Sequence, residues 1–500
     1  MQTTMTQTVS ISHLMESSGV AFGTSGARGR VVDMTDLVCF AYTCGFLQHL
    51  TQIGQFSPGM HVAIAGDLRP STPRIVAACS AAIRTMGGEC DPCGFVPSPA
   101  VAAYGFGKAF PSIMVTGSHI PADRNGIKFN RADGEVLKPD EMAMRAEEVT
   151  LPDLFDEKGM LKAPEVTEPV IDVGTAYIAR YTDFFSRDAL LGLKLGVYEH
   201  SAVGRDILVA ILEELGAQVT RLGRSDIFVP VDTEAVRPED QDLAHGWAAE
   251  FGLDAILSTD GDSDRPLLSD ETGTWLRGDV LGILCAQALE IEAIVTPVSC
   301  NSALELSRSF DEIRRTRIGS PYVIEAMNVM LDGSTLVCGY EANGGFILGS
   351  AIVREQRTLA ALPTRDAALP MIAVLAEAKR QGVPLSTLLA RLPARFTFSD
   401  RIQELPTSQS QALLAQLQVG DEDQVLARVT QMFGPIAGIA TAFDTIDGLR
   451  ITFDGGDIIH LRPSGNAPEL RCYTEAASTQ RAVSLNAQAL SIVRDAALPA

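Results

Sequence analysis

The chain has 500 residues, 46% of them apolar and 20% charged, and its 40 Lys and Arg against 62 Asp and Glu leave a formal net charge of −22. This balance excludes a disordered chain, and at about 150 residues per domain the length allows three to four separate cores. So acidic a chain also argues against a polynucleotide or an anionic membrane as partner, while leaving room for a small anion in a local basic pocket.

Residues 1–20 are polar and rich in Ser and Thr, and they read as a loosely ordered lead-in. No Lys or Arg precedes Arg28, so no secretory signal is expected. The β-rich run His61–Gly66, helical spacing over 74–86 closed by Gly87-Gly88, and an extended run over 90–96 make one strand–helix–strand unit. Cys90 and Cys93 in that run have no second pair to complete a zinc site, so they read as two thiols flanking a Pro-containing turn. The odd number of cysteines, 9, suits the reducing cytoplasm.

The same grammar returns as a strand over 193–198, a helix over 203–215 stopped by Gly216, and a strand over 217–222. It returns more weakly at 293–298, 303–310 and 313–318. Strands separated by amphipathic helices predict parallel units, and three copies predict three related α/β domains. The pattern then changes. Helices are expected over 381–392 and 409–417, a hairpin of 448–453 and 457–461 around Asp454-Gly455-Gly456, and a last helix over 478–495. The longest uncharged apolar stretch, 429–443, is too short for a bilayer and carries Pro435. The expected domains are 1–168, 169–272, 273–385 and 386–500, the last of a different, α+β fold, with the acidic stretch 151–169 as a linker.

Four clusters carry chemistry. In VTGSHIPADRNGIKFN (115–130) a β-rich run leads into a turn where Ser118, between Gly117 and Pro121, presents a hydroxyl to solvent. His119 and Lys128 supply groups for proton transfer or anion binding. In DGDSDR (260–265), Asp260, Asp262 and Asp264 alternate on a turn, and three converging carboxylates repel unless a divalent cation joins them. An all-oxygen set suits Mg²⁺, Mn²⁺ or Ca²⁺ rather than zinc. Other readings stand beside this one. An EF-hand loop would end at Glu271 but needs Gly where Arg265 stands. A dehalogenase-type phosphatase would use Asp260 and Asp262 but wants Thr or Val at 264. A solvated acidic turn needs no ligand. In GYEANGGFILG (339–349), Glu341 and Asn343 share a face if the stretch is extended and suit the vicinal hydroxyls of a sugar, against a plain glycine-rich turn. In RPSGNAPELR (462–471), Arg462, Ser464, the Gly465 backbone and Asn466 form a donor-rich loop suited to a phosphate. Neither GxxxxGK[ST] nor GxGxxG occurs, so nucleotide binding is not supported.

Taken in order with FGTSGARG (22–29), these stretches closely resemble the signatures of the α-D-phosphohexomutase superfamily, in the dialect of its phosphomannomutase/phosphoglucomutase group. The resemblance runs from about residue 20 to the C-terminus. It implies three related α/β domains with mixed sheets plus a C-terminal α+β domain, around a central active-site cleft that the fourth domain closes to exclude water. It also implies interconversion of hexose 6-phosphate and hexose 1-phosphate, of mannose first and glucose second, through a phosphoserine and a bisphosphorylated sugar. Ser118 would carry the phosphoryl group. One Mg²⁺ would sit among Asp260, Asp262, Asp264 and an oxygen on Ser118, and a sugar bisphosphate would serve as activator. Arg28 would stabilise the transferring phosphate, with Lys128 as general acid/base and His119 close by. Arg265, Glu341 and Asn343 would meet the substrate, and Arg462, Ser464, Gly465 and Asn466 would bind its other phosphate. The positive groups, His119 included when protonated, would make a positive cleft in a negative, cytoplasmic protein whose partners are small hexose phosphates.

Three departures qualify this. Ile120 stands where the family's serine motif usually has Asn, so one side-chain contact in that loop is missing. Glu341-Ala342-Asn343-Gly344 is closer to acetylglucosamine phosphomutases, which keeps an N-acetylglucosamine or glucosamine phosphate mutase as the alternative. The loop RIGSPY (317–322) lacks a His that many relatives carry. Outside the class, the alternative is a sugar-phosphate phosphatase acting through Asp260.

Overall fold

The run His61–Gly66 is a strand buried from Val62 onward, with parallel neighbours Glu89–Phe95 and Ser112–Val115. A strand buried on both faces requires helices over both, and its connections are the helices Thr72–Thr85 and Ser98–Lys108. Beyond Ser112–Val115 the sheet turns antiparallel through Arg124–Arg131, Ala27–Arg30 and Ala21–Phe22. It is therefore mixed, and the parallel units read from periodicity cover only part of it. This computed structural model describes residues 7–23, 26–163, 169–331, 335–464 and 468–497.

The second sheet repeats the scheme. Gln218–Leu222, Lys194–Tyr198 and Ala255–Thr259 are parallel, and Pro266–Leu268 returns antiparallel. Farther along, Val337–Tyr340, Phe346–Leu348 and Leu362–Asp366 form an antiparallel run. The chain falls into two compact units, 1–294 with 319–388 and 295–318 with 389–500. They are coarser than the four segments expected from sequence. The second unit holds a five-stranded antiparallel sheet in the order Phe396–Gln403, Glu469–Ala476, Ile458–Pro463, Leu449–Phe453, Ala440–Asp444. The expected hairpin at Asp454-Gly455-Gly456 joins two of these strands. Helices Glu422–Ala437 and Thr479–Ala497 bury Val429, Phe433, Leu485 and Val493 in its core.

Several expectations fail for local reasons. The lead-in forms the strand Gln7–Ser10, paired with Glu148–Leu151, and the helix Ile11–Ser18. The supposed linker begins inside that pairing, and Phe155 lies edge-on to Phe40 while the Leu161 amide donates to Asp36, so this part packs on a helix of the first sheet. The helix expected at 381–392 is the end of Ala368–Gln381, a break at Gly382, and the short Leu385–Leu389. The helix Asp36–Gln52 was not expected at all. It is capped by Thr35 and buried on nearly every side, so it shows no polar face for a periodicity to reveal. Cys90 and Cys93 are buried on a strand, and all nine cysteines are buried thiols. Among the described residues no helix is long and apolar enough to cross a membrane.

Asp366 joins two parts of the first unit. Its buried carboxylate accepts from the hydroxyls of Tyr177 (3.0 Å) and Tyr181 (2.7 Å) and from the amide of Ala368 (3.0 Å), which opens a helix. Asp366→Ala would strand two buried hydroxyls. It should cost about 3 kcal/mol, read as a lower urea midpoint for the transition that reports the first unit.

Candidate active site

Two loops meet at the carboxyl ends of central strands, where α/β sheets present ligand-binding groups. Ser112–Val115 leads to Ser118, and Ala255–Thr259 leads to Asp260. Each loop turns through a non-glycine residue in the left-handed region, Ser118 at φ 56° and Ser263 at φ 58°. Ser118 is buried rather than presented to solvent, because the second loop covers it: its Oγ donates to Asp260 Oδ2 at 2.5 Å. The second loop is closed on itself. Asp260 Oδ1 accepts from the amides of Asp264 and Arg265, both at 3.2 Å, which leaves Asp262 and Asp264 to project.

The three aspartates are fully buried, with ligand oxygens within 4.8 Å of one another. Burial and the two neighbouring carboxylates push the Asp260 carboxyl well up. Burial and Asp264 would also raise Asp262, but Lys128 outweighs them and holds it low. For Asp264, burial is outweighed by Arg365, Lys128 and Arg265, which hold it far below the usual carboxylate range. Lys128 Nζ lies 2.5 Å from both Asp262 Oδ2 and Asp264 Oδ2, and Ser98 Oγ also donates to Asp262. The other oxygen of each, Oδ1 of Asp262 and of Asp264, is buried with no hydrogen-bond partner among the described residues. Hard oxygen donors left bare inside a protein fit a divalent cation such as Mg²⁺.

His119 was expected to add positive charge only when protonated. Its Nδ1 accepts from Arg265 at 3.0 Å, and burial together with Arg265 lowers its pKa to about 3, so it is neutral. Arg28, on the strand Ala27–Arg30, is lowered to about 10 by burial and by Arg265 and Arg365, and stays cationic at neutral pH. Arg265 keeps its charge too, since Asp260, Asp264 and Glu341 outweigh its burial beside Arg365.

Sequence reasoning missed Arg365. This buried guanidinium at the end of Leu362–Asp366 donates to Asp264 (2.9 Å), to Glu341 (3.3 Å) and to Ser320 (3.2 Å), the last in the loop that lacks the relatives' His. It lies so close to Gly345 that a Cβ there would stand 2.5 Å from Arg365 Cδ, which explains the glycine at 345. The only sequence signal is an Arg-Asp pair closing an apolar run. Glu135 was missed as well. It accepts from Ser320 (2.9 Å) and Thr364 (2.7 Å) and ties the first sheet to this strand. The stretch with Glu341 and Asn343 is a turn, not extended: the Gly344 amide donates to the Glu341 carbonyl, and Asn343 Oδ1 accepts from Gly345. Only Glu341 faces Arg365.

In the second unit, Arg462 Nε donates to Asp447 at 2.8 Å, and Ser464 is buried beyond the strand end. Gly465 and Asn466 lie outside the described residues.

Comparison with known proteins agrees along the whole chain. The family models for phosphoglucomutase/phosphomannomutase match in order: α/β/α domain I at 19–150, domain II at 175–273, domain III at 277–396 and the C-terminal domain at 413–491. The chain is 44% identical to the phosphomannomutase of Salmonella muenchen over 96% of itself and 97% of that protein. It is 45% identical to that of Sinorhizobium fredii over 95% and 99%. A phosphoglucomutase/phosphomannomutase family protein from Burkholderia thailandensis superposes with a TM-score of 0.72 at 20% identity, over 95% of this chain and 97% of that one.

Arg365→Met would take from Glu341 the guanidinium that faces it and leave Asp264 with Lys128 as its close cation. Expected are a loss of about 3 kcal/mol in unfolding free energy and a fall of about 100-fold in kcat/KM, measured by urea denaturation and steady-state assay. A pH effect follows from His200, whose Nε2 donates to the Thr259 carbonyl at 2.8 Å while Nδ1 is buried without a partner among the described residues. Burial lowers its pKa from 6.5 to about 4, so the unfolded chain takes up this proton first as pH falls. Its contribution is whole above pH 6.5 and shrinks by about 1.4 kcal/mol per pH unit down to about 4. The urea midpoint should fall between pH 7 and 5, and less steeply in His200→Gln.

Proposed function

The chain belongs to the phosphoglucomutase/phosphomannomutase family, and from that premise we propose that it interconverts mannose 6-phosphate and mannose 1-phosphate, with the glucose phosphates as second candidates. It is an isomerase, an intramolecular phosphotransferase of carbohydrate metabolism. The observation that carries the reading is the closed contact of Ser118 Oγ with Asp260, beside an ammonium set between Asp262 and Asp264.

In this reading Ser118 carries the phosphoryl group. A sugar hydroxyl attacks phosphorus as the bond to Ser118 Oγ breaks, giving a sugar bisphosphate. The proton lost by the hydroxyl balances the one regained by Oγ, and Lys128 is the group placed to relay it. The second half-reaction runs the same step backward with the other phosphate. The transition state is loose, so positioning and charge do most of the catalysis. Arg28 and Arg265 offset charge on the transferring oxygens. His119, being neutral, orients Arg265 and adds no charge. Glu341, steadied by Arg365, accepts from sugar hydroxyls. The loop of Arg462, Ser464, Gly465 and Asn466 would bind a sugar phosphate. Asp260, Asp262 and Asp264, with an oxygen of phosphorylated Ser118, would hold Mg²⁺, which when bound supplies Lewis-acid polarisation of the phosphoryl oxygens. A sugar bisphosphate would prime Ser118 as activator. The buried, reduced cysteines support a cytoplasmic setting.

The Glu-Ala-Asn-Gly loop favours a second reading, an N-acetylglucosamine or glucosamine phosphate mutase. Phosphoglucosamine mutases resemble the chain only distantly, at 29% identity or less. Coupled assays on each sugar 1-phosphate, with a bisphosphate primer, should show mannose 1-phosphate turned over fastest. Faster turnover of glucosamine 1-phosphate would replace the substrate, and phosphate release without isomerisation would replace the class. Ser118→Ala should lower kcat by more than about 1,000-fold and abolish the phosphorylated Ser118 peptide seen by mass spectrometry. Chelation of divalent cations should stop transfer, and Mg²⁺ should restore it.

A further inference from the structure

Arg69 follows the strand His61–Gly66 in a stretch that reads as a mere connecting loop, yet its side chain is entirely buried. A guanidinium has five N–H donors in a fixed plane, and all five here find acceptors. Nε donates to Asp67 Oδ2 at 3.1 Å. One terminal nitrogen donates to the carbonyls of Pro121 (2.7 Å) and Arg124 (3.0 Å). The other donates to the carbonyls of Ser118 (2.9 Å) and Ile120 (2.5 Å). Four of the five acceptors are thus main-chain oxygens of the loop that carries Ser118.

The other side of the Ser118 peptide is held by the same pair. The Ser118 amide donates to Thr116 Oγ1 at 2.8 Å, and Thr116 Oγ1 donates to Asp67 Oδ2 at 2.7 Å. Thr72 and the Arg69 amide occupy Asp67 Oδ1. Space is closed as tightly as polarity. A Cβ at Gly117 would lie 2.7 Å from Arg69 Cζ, and one at Gly261, in the aspartate loop, would lie 2.7 Å from the Ser118 carbonyl oxygen. The ring of Phe228, from a loop of the second sheet, covers the guanidinium at 4.0 Å from its centroid. Ser118 therefore sits at φ 56°, a backbone L-residues avoid, because its carbonyl and amide are both tied down.

We infer that Arg69, covered by Phe228, is the positioning residue that holds Ser118 in this left-handed backbone with its Oγ toward Asp260. The inference rests on the reading of Ser118 as phosphoryl carrier. It also accounts for Ile120: that position is fixed through its carbonyl, so the loop does not depend on the missing Asn side chain.

The test uses the full chain with Ser118 phosphorylated by a sugar bisphosphate. The readout is the single-turnover rate of transfer from phospho-Ser118 to mannose 1-phosphate, which counts only folded, phosphorylated molecules. Arg69→Lys, which keeps the charge and loses the fork, should lower this rate and kcat by about 100-fold with KM within about threefold. Guanidinium ion at millimolar concentration should recover about tenfold of the activity lost in Arg69→Ala. Phe228→Leu should lower the rate about fivefold. Ile120→Asn should leave it within about twofold. An unchanged transfer rate in folded Arg69→Lys overturns the inference. If Arg69→Lys does not fold, an unchanged rate in Phe228→Leu overturns it. In either case Ser118→Ala inactivity leaves the carrier reading standing, whereas full activity in Ser118→Ala ends the carrier reading itself.

Discussion

Three aspartates buried within 4.8 Å of one another impose the constraint on which the rest of the first unit depends. Two unit charges about 4 Å apart repel by roughly 4 kcal/mol at the effective dielectric of a protein, and three do so pairwise. Burial adds to the cost. The compensating cations come from far apart in the chain: Lys128 from the first sheet, Arg265 from the aspartate loop, Arg365 from the strand after the sugar loop. Lys128 reaches them from the middle of Arg124–Arg131, Arg265 from the loop itself and Arg365 from the end of Leu362–Asp366. The sheets of the first unit are therefore held together at their functional edge by charge. Asp366, one residue past Arg365, anchors the same strand to Tyr177 and Tyr181.

What sequence made legible follows from how locally each group works. The residues within the aspartate triad, within the Ser-His turn and within the glycine-rich stretch 339–349 stand only a few positions apart, so each shows as a motif. The two guanidinium groups that organise them do not. The partners of Arg69 are main-chain carbonyls, which carry no side-chain signature, and Arg365 meets Asp264 across 101 residues. The charge of His119 was left open for a related reason. A histidine charges or stays neutral according to its neighbours, and Arg265, 146 residues away, takes the lone pair a proton would need. In the fold, exposed-face helices and turn chemistry were readable. The helix Asp36–Gln52 was not, because a helix buried all round has no amphipathic period.

The same locality explains why the conformation of the stretch with Glu341 and Asn343 was misread. Alternation on an extended strand would aim Glu341 and Asn343 together. Instead Asn343 spends its carbonyl oxygen on closing the turn, and Glu341 alone reaches Arg365. Gly345 is required by Arg365, a residue of the strand Leu362–Asp366. A motif's glycine can thus record a neighbour that the motif does not contain.

The charge of −22 can now be apportioned. Arg28, Lys128, Arg265 and Arg365 stand against Asp260, Asp262, Asp264, Glu135 and Glu341, so the groups that face one another in the first unit carry no surplus of positive charge. Such a balance attracts no dianion by itself. It becomes cationic only when a divalent ion joins the bare oxygens of Asp262 and Asp264, and the added charge matches that of one phosphoryl dianion. Cation and phosphoryl group should therefore favour each other's binding, as linkage requires of two ligands with opposite charge in one low-dielectric site. A surplus of arginine built into the protein would instead hold phosphate whether or not the cation was present. The acidic exterior fits that design, since it leaves affinity for a small dianion to a few placed groups rather than to the protein's bulk field.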